Sequence, residues 1–448
     1  MKIAILGFAG QGQSAFEYWN NAGNEITVCD SDESVVVPEG ASSQLGTSYL
    51  DNLDRFDLLI RTPSLHPSDI VAANPSSPDI LNKVTTNTNE FFKVCPTKNI
   101  IGVTGTKGKG TTSTLITKIL EAAVKTVHLG GNIGIAPLDM LKDDIQPDDW
   151  VVLELANFQL IDIKHSPHIA VCLMVVPEHL NWHADMDEYV TAKQQLFRYQ
   201  KSDDIAIFNR NNGHSADIVA ISLATKVSYE VPGPGAEPHN NTGAYLKGDT
   251  IYMDGTAICQ ASDVRLLGRH NLENVCAAIA ATWELIGKNT ALTKSVLSTF
   301  NGLPHRLELV RELNDVKYYD DSFGTTPETA IVAMQAFSTP KVIILGGADK
   351  RATYEELAHV VASDNVRQAI LIGDTAPAIA SALQTAGFTD YKIGGKTMPE
   401  IVNLAASVAQ PGDIVLLSTG CASFGLFKDY KDRAEKFVSA VNQLPTHD

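Results

Sequence analysis

The sequence predicts an α/β chain made of three successive blocks, each a mainly parallel sheet covered by helices. Three observations predict it. Short unbroken apolar runs such as KIAILGF, WVVLEL and KVIILGG have the length and β-branched content of strands buried on both faces. These runs alternate with longer helical patterns, the order expected of βαβ units. Turn-rich seams at TNTNEFFKVCPTKN and NGLPHR divide the series, giving blocks at 1–94, 95–301 and 302–448. A chain of 448 residues has ample material for several cores.

The first block opens with the strand KIAILGF, turns through AGQGQSAFEYW into a helix, and returns as EITVCD, a second strand ending at Asp30. Gly10, Gly12 and Ala15 fit the loose G-x-G-x-x-A form of dinucleotide-binding turns, with an acid about 20 residues past the strand. Many doubly wound domains begin this way, and a nicotinamide site explains only this block.

The second block alternates the strands WVVLEL, HIAVCLMVV and DIAIFN with the helical patterns TTSTLITKILEAAV, MDEYVTAKQQLFRYQ and NLENVCAAIAATWELIG. At its start, TGTKGKGTT (104–112) lies between the strand IIGV and a helix. Gly105 and Gly108 free the backbone to turn its N–H groups inward, the helix directs its positive end to the same place, and Lys109 adds a mobile charge. The segment is an anion cradle of the phosphate-loop type. Its spacing departs from the common loop: Val103 stands where a Gly is usual and Gly110 follows the lysine. A hydroxyl for Mg²⁺ then comes from Thr111, Thr112 or a water.

Glu154 ends a buried strand, where the ligand crevice of a parallel sheet lies, and a carboxylate there suits a cation. His179, in PEHLNWH, leaves the next strand at the same edge. Lys193, taken by itself, reads as part of a solvated helix face. The third block repeats the scheme with KVIILGG, QAILIGD and DIVLLSTG. Within it Thr326 and Pro327 read as the N-cap and first residue of a helix. Ser423 reads as the cap of a helix beginning at FGLFKDY, an end that would attract anions.

Charge narrows the partners. Thirty-five basic residues against 52 acidic ones leave a net charge of −17, which repels nucleic acid and anionic membranes but leaves local basic pockets open to small anions. Six scattered cysteines without a CxxC pair suit reduced thiols, and no apolar run approaches the ~20 residues of a membrane span. The expectation is a cytoplasmic protein, monomeric, without membrane insertion.

In order along the chain, TGTKGKGTT, LELANFQL, EHLNWH, YVTAKQQLF, GRHNLENVCAA, GLPHRLE, YDDSFGTTPE, LGGADK and CASFGLFKDY resemble the motifs of the bacterial Mur ligases. The resemblance covers nearly the whole chain and is nearest to the branch that adds glutamate to UDP-N-acetylmuramoyl-L-alanine. It implies an N-terminal Rossmann-like domain for the UDP substrate, a central ATPase domain of the P-loop type, and a C-terminal Rossmann-like domain that delivers the amino acid. It also implies ATP and two Mg²⁺ ions as cofactors, and the muramoyl nucleotide and glutamate as substrates.

By the same resemblance, Lys109 meets the β- and γ-phosphates within a loop of Gly105, Thr106, Lys107, Gly108, Gly110, Thr111 and Thr112. Glu154 binds one Mg²⁺ together with a hydroxyl such as Thr111, and His179 with a carbamylated Lys193 binds the second. Carbamylation replaces an amine, a poor ligand, with oxygen donors suited to a hard cation. Asn274, Arg306 and Asp321 match adenine, ribose and phosphate contacts; Asn132 and Gln159 match muramoyl contacts; Asp30 with Ser31 sits where uracil is held. Thr325, Lys350, Ser423 and Tyr430 match the groups that meet the glutamate carboxylates.

Departures bear on specificity. Ala156 and Asn157 replace two serines of the family, Phe323 replaces a lysine, Tyr430 a phenylalanine, and the hydroxyl after Lys109 is absent. An L-glutamate-adding variant and a folylpolyglutamate-synthase-like ligase are the alternative readings. A nucleotide-binding regulator without turnover is at odds with the retained Lys109, Glu154, His179 and Lys193. Substituting Lys109→Ala is expected to abolish ATP-dependent ligation, a transition-state loss of several kcal/mol, roughly that of removing one preorganised charge. Circular dichroism should show the fold retained, and near-normal turnover in the folded variant contradicts the role.

Overall fold

Strands that are apolar on both faces must be covered on both sides, and the chain meets that requirement three times. The computed structural model describes residues 1–21, 23–349 and 352–445. The chain divides into two compact units, Met1–Asp263 with Leu272–Ser298, and Val264–Asn271 with Thr299–Asp448.

The first unit holds two sheets. The N-terminal one consists of β1 (Lys2–Leu6), β2 (Glu25–Asp30), β3 (Ser42–Leu45), β4 (Leu58–Arg61) and β5 (Val84–Thr85), all parallel, in the order β3-β2-β1-β4-β5. The chain reverses its direction of travel across the sheet at β1, so the crevice expected of a doubly wound fold opens beyond the ends of β1 and β4.

The central sheet has nine strands: β6 (Ile100–Thr104), β7 (Val127–Gly131), β8 (Trp150–Glu154), β9 (Ile169–Cys172), β10 (Ile205–Asn209), β11 (Thr225–Glu230), β12 (Ala244–Lys247), β13 (Thr250–Met253) and β14 (Thr256–Gln260). Their order is β14-β13-β12-β11-β10-β9-β6-β8-β7. Strand β6 lies between β8 and β9, again the point where the strand order reverses, and the TGTKGKGTT loop leaves from its end. The two hairpins β12–β13 and β13–β14 are antiparallel. Asp254 (φ 48°) and Gly255 (φ 78°) make the second turn with two left-handed residues, the Asp-Gly signature of a tight hairpin.

The second unit carries β15 (Glu308–Leu313), β16 (Val316–Asp320), β17 (Lys341–Gly346), β18 (Val366–Ile372), β19 (Tyr391–Ile393) and β20 (Ile414–Leu417). They run in the order β15-β16-β20-β17-β18-β19, parallel except for the antiparallel edge pair β15–β16. Thr326 and Pro327 take the expected N-cap and first helical positions. The helix after CASF begins only at Tyr430, capped by Asp429, whose side chain accepts from the Asp432 amide. Ser423 therefore caps no helix, and the expected anion-attracting helix end is not beside it.

All six cysteines are buried and free, and among the described residues no helix is long and apolar enough to cross a membrane. In the first unit one apolar cluster runs from Ile3 and Val28 through Phe91 to Val151 and Leu196, so the two sheets share a core. A polar clamp crosses the same boundary. Arg61, at the end of β4 and 1% exposed, gives Asp162 two hydrogen bonds of 2.7 Å and also reaches the carbonyls of Thr62, Leu65 and Phe158. Removing the carboxylate strands a buried cation, which costs about 3 kcal/mol. Asp162→Ala should therefore lower the thermal midpoint by several degrees, roughly as that loss predicts. The double change Arg61→Met with Asp162→Leu should recover most of it in differential scanning calorimetry.

Candidate functional site

Gly105 and Gly108 set the shape of the loop after β6. Gly105 has φ 149°, and a Cβ there would lie 2.6 Å from the Leu173 Cβ. Gly108, at φ 86°, is the residue from which the helix Lys109–Ala122 starts, and a Cβ on it would run into the Asn274 side-chain amide. Backbone amides of the first helical turn are thus left facing outward, as an anion requires.

Lys109 folds back over this loop, donating to the carbonyls of Gly105 (3.2 Å) and Thr106 (3.0 Å). Thr112 donates to Asn274 Oδ1 at 3.3 Å, which brings one proposed adenine contact to the loop. Thr106 looks inward: its amide bonds to Met174 and its hydroxyl to Val176 and the Tyr189 hydroxyl, so it anchors the loop to the segment after β9. Lys107 is exposed and pairs with Glu178. Thr111 is buried, and Gly110 is half-buried in the first helical turn.

Lys193 overturns the reading of a solvated helix face. It lies on the helix Met186–Arg198 with a fully buried side chain, its Nζ 3.0 Å from the Gly105 carbonyl and 4.4 Å from the centre of the Tyr189 ring. Burial, aided by the charge of Lys109, lowers its pKa to about 7. The amine is therefore partly neutral near neutrality, and a neutral amine can attack carbon dioxide.

Glu154 closes β8 beside β6, buried, with Oε1 accepting from Asn132 Nδ2 at 2.8 Å. Two residues from the sequence list therefore meet. Gln159 uses Oε1 to accept from the Ala156 amide at 3.0 Å, while its Nε2 is buried with no partner among the described residues. Such an orphaned donor costs about 1–3 kcal/mol unless something binds it.

His179 sits in the left-handed region at φ 58°, uncommon for a residue with a side chain, and its carbonyl accepts from the amides of Trp182 and His183. Its ring packs on Phe158 at 4.8 Å and lies 3.5 Å from a Glu178 oxygen. Burial, with help from Lys109, Lys193 and Lys107 against the opposing Glu178, lowers its pKa. The charges of these three lysines and of Glu178 all act on the His179 ring.

Sequence reasoning missed Glu178, Tyr189 and the partner of Asn157. The Asn157 amide is 2.7 Å from His183 Nε2, so the substitution supplies a partner for a buried imidazole. Glu178 stands beside His179 in sequence, and an acid next to a candidate ligand was the available signal.

At the N-terminal sheet, both Asp30 oxygens are taken by backbone amides, Phe8 at 2.6 Å and Asp32 at 2.9 Å. Asp30 thus braces the glycine turn, and the exposed Ser31 stands next to it.

Arg306 and Asp321 belong to the second unit. Asp321 accepts from Ser418 Oγ at 2.6 Å and from the Leu307 amide at 3.3 Å, and burial raises its pKa to about 7. Phe323, which replaces a family lysine, lies under the Arg306 guanidinium at 4.1 Å and edge-on to Tyr430 at 5.3 Å. Phe323 makes a cation–π contact with Arg306. Ser423 is buried and Thr325 half-buried, while Lys350 lies outside the described residues.

Glu154 offers a hard cation a buried carboxylate whose one described bond comes from a neutral amide, and His179 an imidazole with a lowered pKa. Free Lys193 does not fit as a ligand, whereas its carbamate would supply oxygen.

Residues 103–282 match the model of the Mur ligase middle domain, and residues 305–421 that of the Mur ligase glutamate ligase domain. A UDP-N-acetylmuramoylalanine--D-glutamate ligase of Clostridium tetani is 34% identical over 99% of this chain and 97% of its own length. The enzyme of that name from Acetivibrio thermocellus is 36% identical over 99% and 96%. In fold, the chain is similar to the UDP-N-acetylmuramate-alanine ligase MurC of Thermotoga maritima (TM-score 0.61, 17% identity, 99% of both chains). It is similar also to MurF ligase from that organism in complex with ADP (TM-score 0.60, 16% identity, 98% and 95%).

The buried lysine makes stability depend on pH. The folded protein takes up the Lys193 proton only near pH 7, whereas an ordinary lysine does so near 10.5. Between those values the unfolded chain holds more protons, so stability rises with pH across that window and is lowest below it. Relative to Lys193→Met, the wild type should gain up to about 1.4 kcal/mol per pH unit there in bicarbonate-free urea titrations. A flat difference contradicts a depressed lysine.

Proposed function

Because the chain belongs to the Mur ligase family, we propose that it joins D-glutamate to UDP-N-acetylmuramoyl-L-alanine at the expense of ATP. The protein is an ATP-dependent amide ligase of peptidoglycan precursor synthesis. The observation that carries the residue assignment is the glycine loop with Lys109 over its face and Lys193 buried behind the Gly105 carbonyl.

In this reading an alanyl carboxylate oxygen attacks the γ-phosphorus and ADP leaves. The glutamate amine then attacks the acyl carbon, loses its proton, and expels phosphate with the oxygen that had bridged carbon and phosphorus. Both steps gather negative charge. Lys109, released from the loop carbonyls, and the amides of Gly108, Lys109 and Gly110 hold the phosphates; the hydroxyls of Thr111 and Thr112 close the cradle. The free Gln159 amide and Asn132 hold the muramoyl-alanyl part, and Ser31 beside Asp30 meets the uracil.

Glu154, His179 and carbamylated Lys193 would hold two Mg²⁺ ions, with Thr111 as a further oxygen; bound there they would offset repulsion between carboxylate and phosphate. Asn274, Arg306 and Asp321 serve the nucleotide. Thr325, Ser423, Tyr430 and Lys350 receive the glutamate carboxylates, which need fixed donors.

The assay is direct: supply ATP, Mg²⁺ and the muramoyl-alanine nucleotide with D-glutamate, L-glutamate or another amino acid, and follow phosphate release and product mass. D-glutamate alone should give product, and turnover confined to L-glutamate overturns the stereochemical assignment. At fixed dissolved carbon dioxide, a ¹³C carbamate signal should grow as the pH is raised from about 6 to about 8, because the neutral amine is the reactive form. Its absence from Lys193→Met assigns it, and acetate should partly restore activity to Lys193→Ala.

A further inference from the structure

Two histidines and a glutamate converge where the segment after β4 meets the segment after β9, with His183 packed edge-on to Tyr189 at 5.4 Å. His66 is the N-cap of the helix Pro67–Ala73, next to β4; His183 and Glu188 flank the start of the helix Met186–Arg198. Glu188 Oε2 lies 3.1 Å from His183 Nδ1 and 3.4 Å from His66 Nε2, and the three donor atoms all fall within 4.8 Å of one another.

The His66 Nε2 atom is buried and has no hydrogen-bond partner among the described residues. Its separation from Glu188 is too long for a hydrogen bond but equals the edge of a tetrahedron with metal–ligand bonds of about 2.1 Å, roughly 3.4 Å. The remaining ring nitrogens are held from outside. His66 Nδ1 is 2.7 Å from Ser68 Oγ, and His183 Nε2 is 2.7 Å from the Asn157 side-chain amide. His66 Nδ1 also accepts the Ser68 amide at 3.2 Å, so a metal on Nε2 moves the ring proton to Nδ1, which then donates to Ser68 Oγ in place of that cap bond, while the Asn157 amide can present oxygen or nitrogen to His183.

We propose that His66, His183 and Glu188 form a binding site for one divalent cation of the zinc class. Two imidazoles and one carboxylate favour zinc, cobalt or nickel over magnesium, with a fourth position for water. Such an ion joins the segment after β4 to the turn that carries His179, where Trp182 already donates to the Ser64 carbonyl at 3.1 Å and packs on His66 at 4.4 Å. The ion therefore steadies the His179 turn. The assignment does not rest on the ligase reading.

Full-length protein stripped with chelator, dialysed against micromolar zinc and washed should retain one zinc more than His66→Ala and one more than Glu188→Gln by elemental analysis. Cobalt should give the wild type a tetrahedral absorption band that both variants lack. Zinc should raise the thermal midpoint of the wild type above that of either variant, whose metal-free midpoints stay within about 3 °C of the metal-free wild type, as for changes to part-exposed side chains. Equal zinc uptake by wild type and both variants, or a cobalt spectrum unchanged by the substitutions, overturns the site.

Discussion

An amine buried without a carboxylate sets the terms for the centre of this protein. Lys193 has no exposed surface and no ion-pair partner among the described residues; its only described hydrogen bond goes to the Gly105 carbonyl. Holding a full charge there is expensive, so the lysine is driven toward its neutral form and the loop is drawn against the helix that carries it. The position of Gly105 then depends on Lys193. Gly105 in turn permits the close approach of Leu173, and Thr106 ties the same backbone to the segment leading to His179. One buried group thereby links the glycine loop, the strand end after β9 and the electrostatics of three lysines.

The sheet topology supplies the rest of the arrangement. Because β6 lies between β8 and β9, the glycine loop, Glu154 and the Glu178–His179 turn all emerge along one edge. Glu154 is held by Asn132, which follows β7, so four neighbouring strands each contribute to that edge. The N-terminal sheet is fixed to it by shared apolar core and by Arg61, whose hydrogen bonds reach the helix carrying Phe158. Rigid strand ends, rather than long loops, place the side chains.

Much of this was legible in the sequence, because strands buried on both faces and glycine turns leave local signatures. The three sheets, the start of the helix after Lys109, and the strand-end place of Glu154 follow from runs of a few residues. The burial of Lys193 did not follow from its own segment, since a lysine on a helix looks solvated unless the partner surface is known; only the family resemblance singled it out. The Arg61–Asp162 clamp and the His66–His183–Glu188 group join residues about a hundred positions apart, which no local pattern encodes. Ser423 was misplaced because FGLFKDY has a helical composition, yet Asp429 caps the helix a turn and a half later. The hairpins of β12–β14 carried a readable Asp-Gly turn that was overlooked.

The central claim is that the carboxylate of the muramoyl substrate is activated by taking the γ-phosphoryl group at this loop. Its most direct test labels both oxygens of that carboxylate with ¹⁸O and analyses the inorganic phosphate after complete turnover. Transfer through an acyl phosphate places one ¹⁸O in each phosphate released. Phosphate free of label, with amide product formed at the normal rate, contradicts it.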